Sequence, residues 1–224
     1  MAVSNQERGG FDDEERGPRA RTARLMLATA VQIMQDGIVP SVSDVAEAAQ
    51  VSRATAYRYF PTQASLVHAV VDQALGPILE WQSEASETGE RVRDLFARSM
   101  PRIDAFEATF RAALKLSLEQ WAARQAGVLG NEPAFTRGHR IDLLRAAVGP
   151  LDVSAEERER LVKGLSLLFG IESIVILKDI WGADRAEARD LVLWAADALV
   201  DAASKGSSNG KRNWSDQNEG NGAP

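Results

Sequence analysis

An all-α fold is what this sequence predicts, and three observations predict it. Apolar residues recur at helical spacing in almost every segment, with no convincing strict alternation. The segments open at Ser, Thr or Pro and close at Gly or Gly-Pro, as helices do. The one β-like run, Ser173-Ile174-Val175-Ile176-Leu177, sits inside a longer helical pattern and reads as helix.

Taken in order, Met1 to Gly17 is Gly-rich and acidic, so residues 1–18 are expected to form a disordered arm. Arg19 to Gln35 is a first helix, with an apolar face from Leu25, Met26, Ala30, Ile33 and Met34 and a stop at Gly37. Ser41 caps a second helix, with Asp44 completing a variant capping box. Gln50-Val51-Ser52 is a turn, and Ser52 caps a third helix whose Ala56 and Phe60 face inward. Pro61 stops that helix, Thr62 caps a fourth, and Gly76-Pro77 breaks the pattern. Residues 19–76 are therefore one small domain.

From 77 to 203 only helical patterns follow. A short one carries Trp81, another runs from Arg91 to Met100, and Pro101 opens the next, Arg102 to Arg124. A loop from Gly127 to Pro133 leads to Ala134–Val148. Ser154 and Glu157 form a capping box for a long helix to Trp181. Arg185 to Ala203 is the last helix, and 204–224 reads as a floppy tail. The last two helices are apolar nearly all round: Leu161, Leu165, Leu168, Ile174 and Leu177 in one, Leu191, Trp194 and Leu199 in the other. Such helices need cover on more than one side. Either they are central core helices, or a second copy of the chain supplies the cover as an isologous four-helix interface.

The chain has 224 residues and a formal charge of −6. Between Arg16 and Gln63, however, Arg16, Arg19, Arg21, Arg24, Arg53 and Arg58 face only Asp36, Asp44 and Glu47, a local +3 that leaves −9 elsewhere. An acidic body with a basic end can dock on phosphates through that end alone. The absence of cysteine removes disulfides, thiol catalysis and cysteine-based zinc sites. The polar, acidic start is not a secretory signal and no apolar run is membrane-length, so a cytoplasmic protein is expected. No nucleophile, base and orienter can be assembled, so neither enzyme activity nor a cofactor is expected.

The second and third helical patterns, SVSDVAEAAQVSRATAYRYFPTQ, read as a helix-turn-helix, whose second helix enters the major groove of DNA. From Arg21 to Val70, and above all in SVSDVAEAAQVSRATAYRYFPTQASL, the chain resembles the tetracycline-repressor (TetR) family of bacterial regulators. The resemblance implies an all-helical homodimer with an N-terminal DNA-binding domain and a C-terminal domain for ligand binding and dimerisation. It implies a palindromic operator and a small-molecule effector. Two departures stand out. The turn position usually held by glycine is Gln50, and the helix-four start usually held by lysine is Gln63.

Arg53 suits guanine O6 and N7 through its planar fork. Ala54 and Thr55 keep the helix close to the groove, where either can meet a thymine methyl. Tyr57 and Tyr59 suit phosphate oxygens, although Tyr59 can equally pack beneath the first helix. Arg58 serves the backbone, Ser43 points toward DNA in the family pattern, and Gln63 offers a neutral donor. Ser52 belongs to the same surface, and Arg21 with its neighbours opens the first helix, where such arms reach phosphates or stay solvated. Phe96, Met100, Phe106, Phe110, Trp121, Phe135 and His139 are candidates for the effector pocket, with ordinary core as the alternative. His68 and His139 are the only histidines, and no metal site is expected. The competing reading of the whole chain is a helical ligand-binding or adaptor protein that no longer grips DNA tightly.

Overall fold

The computed structural model describes residues 18–129, 135 and 138–219, with side chains described between residues 20 and 205 of these. Arg16 and most of the N-terminal arm lie outside the described residues. Ten α-helices follow one another, and no strand occurs among the described residues. They group into two compact units.

The first unit holds α1 (Pro18–Gln35), α2 (Val42–Ala48), α3 (Arg53–Tyr59), α4 (Gln63–Leu75) up to Ala74, and α6 (Glu107–Gln125) with the following segment. α1 packs on α2 and α6, and α2 packs on α3. Met26, Ala30 and Met34 recur on one face of α1 and are fully buried, as the helical period requires. Val45, Ala46, Ala56, Leu66 and Val70 are also buried, so each short helix gives its apolar stripe to this unit's core. α2 and α3 have seven residues each, too short to persist alone, and are held by that burial and by their caps.

The second unit holds a 3-10 turn (Gly76–Glu80), α5 (Thr88–Ala105), α7 (His139–Val148), α8 (Ala155–Leu168), α9 (Ile171–Val175) and α10 (Arg185–Glu219). α5 packs on α7 and α10, and α8 packs on α7, α9 and α10. Phe96 and Phe169 meet edge to face at 5.1 Å in its core, beside Leu95, Leu144, Leu165 and Val192. Arg91 clamps the segment before α5: its guanidinium donates to the carbonyls of Ser83, Ala85, Ala146 and Ala147 and sits over the Trp81 ring. Trp81 Nε1 donates to Asp94 at 2.8 Å. Burial pushes the Asp94 carboxyl up, but hydrogen bonds from Arg98 and Trp81, with the Arg98 charge, outweigh it and hold the group below its ordinary range.

Four boundaries differ from the sequence reading. α5 runs through Pro101 to Ala105 and ends at Phe106, rather than restarting at Pro101. The proline removes one helix hydrogen bond, but both Pro101 and Ala97, whose carbonyl it would have served, lie on an exposed face. The long helix expected from Ser154 to Trp181 breaks at Phe169-Gly170, where Gly170 takes φ 138° and ψ −172°, a region open essentially to glycine alone. The Ser173 hydroxyl bonds the carbonyls of Leu168 and Gly170 across the break, and Ile176–Ile180 continues as a π-helical turn. The helix before Gly149 starts at His139 among the described residues, and α10 carries on past Ala203 to Glu219.

Candidate nucleic-acid interface

The α2–α3 turn is built from backbone geometry. Ala49 is the C-cap of α2, and Gln50 follows with φ 55°, the only non-glycine positive φ among the described residues. Val51 N–H donates to Ala46 O at 2.8 Å and Gln50 N–H donates to Glu47 O at 3.1 Å. These are the 6→1 and 5→2 bonds of a Schellman motif, with Gln50 where glycine is usual. Holding a side-chain-bearing residue there costs roughly 1 kcal/mol, which the two bonds and the packed α2–α3 contact offset.

Both helices start from reciprocal side-chain contacts. At α2, the Ser41 hydroxyl accepts the Asp44 N–H at 3.1 Å and the Asp44 carboxylate accepts the Ser41 N–H at 2.8 Å. The backbone and side-chain hydrogen bonds from Ser41 hold the Asp44 carboxyl below the usual carboxylate range against its slight burial, and the Arg53 charge adds to the effect. At α3, the Ser52 hydroxyl accepts the Thr55 N–H at 3.2 Å and donates to Thr55 Oγ1 at 2.9 Å. α4 is capped by Thr62 and Ser65, each accepting the other's backbone N–H.

The outward face of α3 carries Arg53, Ala54, Tyr57 and Arg58, all exposed. Arg53 has no hydrogen bond or ion pair among the described residues, so its fork is available. The Arg58 guanidinium stacks 5.6 Å from the centre of the Tyr59 ring, and Tyr59 is half-buried. The Tyr57 and Ser43 hydroxyls lie 3.3 Å apart, which fixes the tyrosine against the first turn of α2. Arg21 is exposed on α1.

Gln63 differs from its expected role. It is half-buried, and its Nε2 donates to the Pro40 carbonyl at 3.1 Å, tying the start of α4 to the loop before α2. Sequence reasoning assigned it a phosphate because the family pattern puts a cation there. An uncharged amide, shorter than a lysine, is held by that carbonyl instead. The Ser43–Tyr57 contact was also missed, since nothing in a spacing of fourteen residues signals it.

The other predicted site residues divide by burial. In the second unit Phe96 is fully buried against Phe169, and Met100 is in the same core cluster. His139 is half-buried at the start of α7. In the first unit Phe106 and Phe110 are half-buried, while Trp121 is 60% exposed. Phe135 is buried, its N–H held by the Gln120 amide oxygen at 2.7 Å and its ring against His68 in a groove of about 370 Å³. Of the residues expected at a dimer interface, Leu161, Leu165 and Ile174 are buried within this chain. Leu168, Leu177 and Leu199 are half-buried, whereas Leu191 is 43% and Trp194 68% exposed. Leu167, Ile180 and Trp181 are all more than 70% exposed.

A short, capped α2, a Schellman turn and an exposed basic α3 define a helix-turn-helix protein with an all-helical body. Residues 25–70 match the family model for bacterial regulatory proteins of the tetR family. The likeness to that family model is confined to this helix-turn-helix region. Over 56 residues it is 38% identical to the HTH-type transcriptional repressor LfrR of Mycolicibacterium smegmatis, a match covering 25% of this chain and 30% of that protein. Two crystal structures share its fold. A tetR-family transcriptional regulator from Streptomyces coelicolor is similar with a TM-score of 0.57, 19% identity and 85% of each chain covered. A TetR transcriptional regulator from Rhodococcus sp. RHA1 is similar with a TM-score of 0.55 and 18% identity, covering 80% of this chain and 96% of that one. No described helix is long and apolar enough to cross a membrane.

Proposed function

We propose that this chain is a sequence-specific transcriptional regulator, a homodimer that represses from a palindromic operator and is released by a small-molecule effector bound in its helical body. The observation that carries the DNA-binding part is the exposed Arg53, without a hydrogen bond or ion pair among the described residues, at the first position of an α3 fixed by the Ser52 cap and a Schellman turn. A rigid recognition helix loses little freedom on docking, and its N-terminal residues are the ones that reach base edges. The repressor part is supported by the likeness of the helix-turn-helix region to a repressor. The dimer part is supported by Leu167, Leu191 and Trp194, large apolar side chains left exposed on α8 and α10, which pack together in the second unit.

The test is fluorescence anisotropy of the full chain on duplex DNA from upstream of its own coding sequence, at low and moderate salt. Tight binding that weakens modestly with salt, because few cations face the DNA, and falls at least tenfold in Arg53→Ala is expected. Absence of binding at low salt, or an Arg53→Ala variant as tight as the parent, overturns the regulator reading in favour of a helical ligand-binding or adaptor protein.

A further inference from the structure

We propose that α3 selects a guanine through Arg53 and the methyl of a neighbouring thymine through Ala54. This rests on the DNA-binding reading and states which bases it reads. In the major groove guanine shows two acceptors, thymine an acceptor and a methyl, adenine an acceptor and a donor, and cytosine a donor. Bidentate recognition of adenine takes Asn or Gln, and cytosine takes Asp or Glu. The sequence of α3, Arg53-Ala54-Thr55-Ala56-Tyr57-Arg58-Tyr59, contains none of the four.

The structure also engages the nearby groups that would break this rule. The half-buried amide of Gln63 is turned to the Pro40 carbonyl. The Asp44 carboxylate accepts the Ser41 N–H and, as an anion, is disfavoured beside phosphates. The single proton of Ser52 goes to Thr55 Oγ1, which leaves the Thr55 proton free to donate outward. Gln50 is an exposed amide, and it stands in the turn before the helix rather than on it. Arg53 and Ala54, in contrast, are the first two residues of α3 and both are exposed. A methyl at the second position brings the helix close to the groove and leaves contact with a thymine methyl as its main source of preference.

The experiment starts from a randomised duplex pool and the full-length protein. Selection is expected to return half-sites with a fixed guanine next to a thymine. In anisotropy on the selected duplex, 7-deazaguanine at that base should weaken binding about fivefold or more, and Arg53→Ala should weaken it about tenfold or more while abolishing the sensitivity to 7-deazaguanine. Deoxyuridine for the thymine should weaken binding several-fold, and Gln50→Ala should leave the selected bases unchanged. Because the base analogues are read with the parent protein, they do not depend on a variant folding. An adenine or cytosine on the strand that Arg53→Ala relaxes, indifference to 7-deazaguanine, or a changed base preference in Gln50→Ala overturns the inference while leaving DNA binding intact. A pool that yields no enriched duplex at low salt overturns the DNA-binding reading itself, and this inference with it.

Discussion

Gln50→Gly should stabilise the α2–α3 hairpin, although it removes a side chain. Gln50 is exposed with φ 55°, so no packing is lost and the Cβ strain of a left-handed residue, about 1–2 kcal/mol, is relieved. Glycine in turn gives the unfolded chain more freedom, which takes back about 0.4–1 kcal/mol. The Schellman bonds, Val51 N–H to Ala46 O and Gln50 N–H to Glu47 O, are backbone to backbone and survive the change. The net expectation is a gain of about 0.8 kcal/mol, within a span of about 0–1.6 kcal/mol. Gln50→Ala is the control, since it trims the side chain and keeps the Cβ, and should differ from the parent by under about 0.5 kcal/mol. Two compact units make a single unfolding transition an unsafe assumption, so the readout is hydrogen exchange of the α2 amides, which reports opening of this region. Slower exchange in the glycine variant than in the alanine variant supports the account. Equal or faster exchange would refute the claim that strain is stored at Gln50.

Three further outcomes are expected. Asp44 has a folded pKa below its unfolded value, so its contribution is present above the unfolded value and is lost as pH falls through the depressed folded one; Asp44→Asn should flatten the acid limb of a head-unfolding curve. Gly170→Ala should destabilise the second unit by at least about 1–3 kcal/mol, read as a lower denaturant midpoint, because alanine is strained at φ 138° and its methyl would collide with the Arg140 guanidinium. Arg91→Lys should lower the melting temperature, at a cost of about 2 kcal/mol, since an ammonium cannot reach four carbonyls and stack on Trp81 as a planar fork does; an unchanged melt would show the clamp to be dispensable.

The helix-turn-helix was legible because its signals are local. Ser41 with Asp44, Ser52 with Thr55, and the apolar pairs Val45–Ala49 and Ala56–Phe60 all lie within four residues, where sequence spacing dictates geometry. The strained Gln50 was legible as a departure from the expected glycine. The helical body was less legible, for two physical reasons. Pro101 was read as a start because proline suits a first turn, yet an exposed helix face tolerates it in the interior. The Gly170 break was hidden by apolar residues that continue on both sides of it. Periodicity also fails to separate core from exposed positions on a helix that is apolar nearly all round. Leu161 and Leu165 went inward while Leu167 and Trp194 stayed out, a division decided by the packing of α8 on α7, α9 and α10.

The bond from Gln63 to the Pro40 carbonyl has an evolutionary consequence on the proposed reading. Strength of attachment and choice of letter reside on different residues. A change at position 63 to a cation would add one non-specific electrostatic anchor without touching Arg53 or Ala54. A descendant could thus be dialled from a weakly held, readily discharged switch to a tenacious one while still recognising the same address.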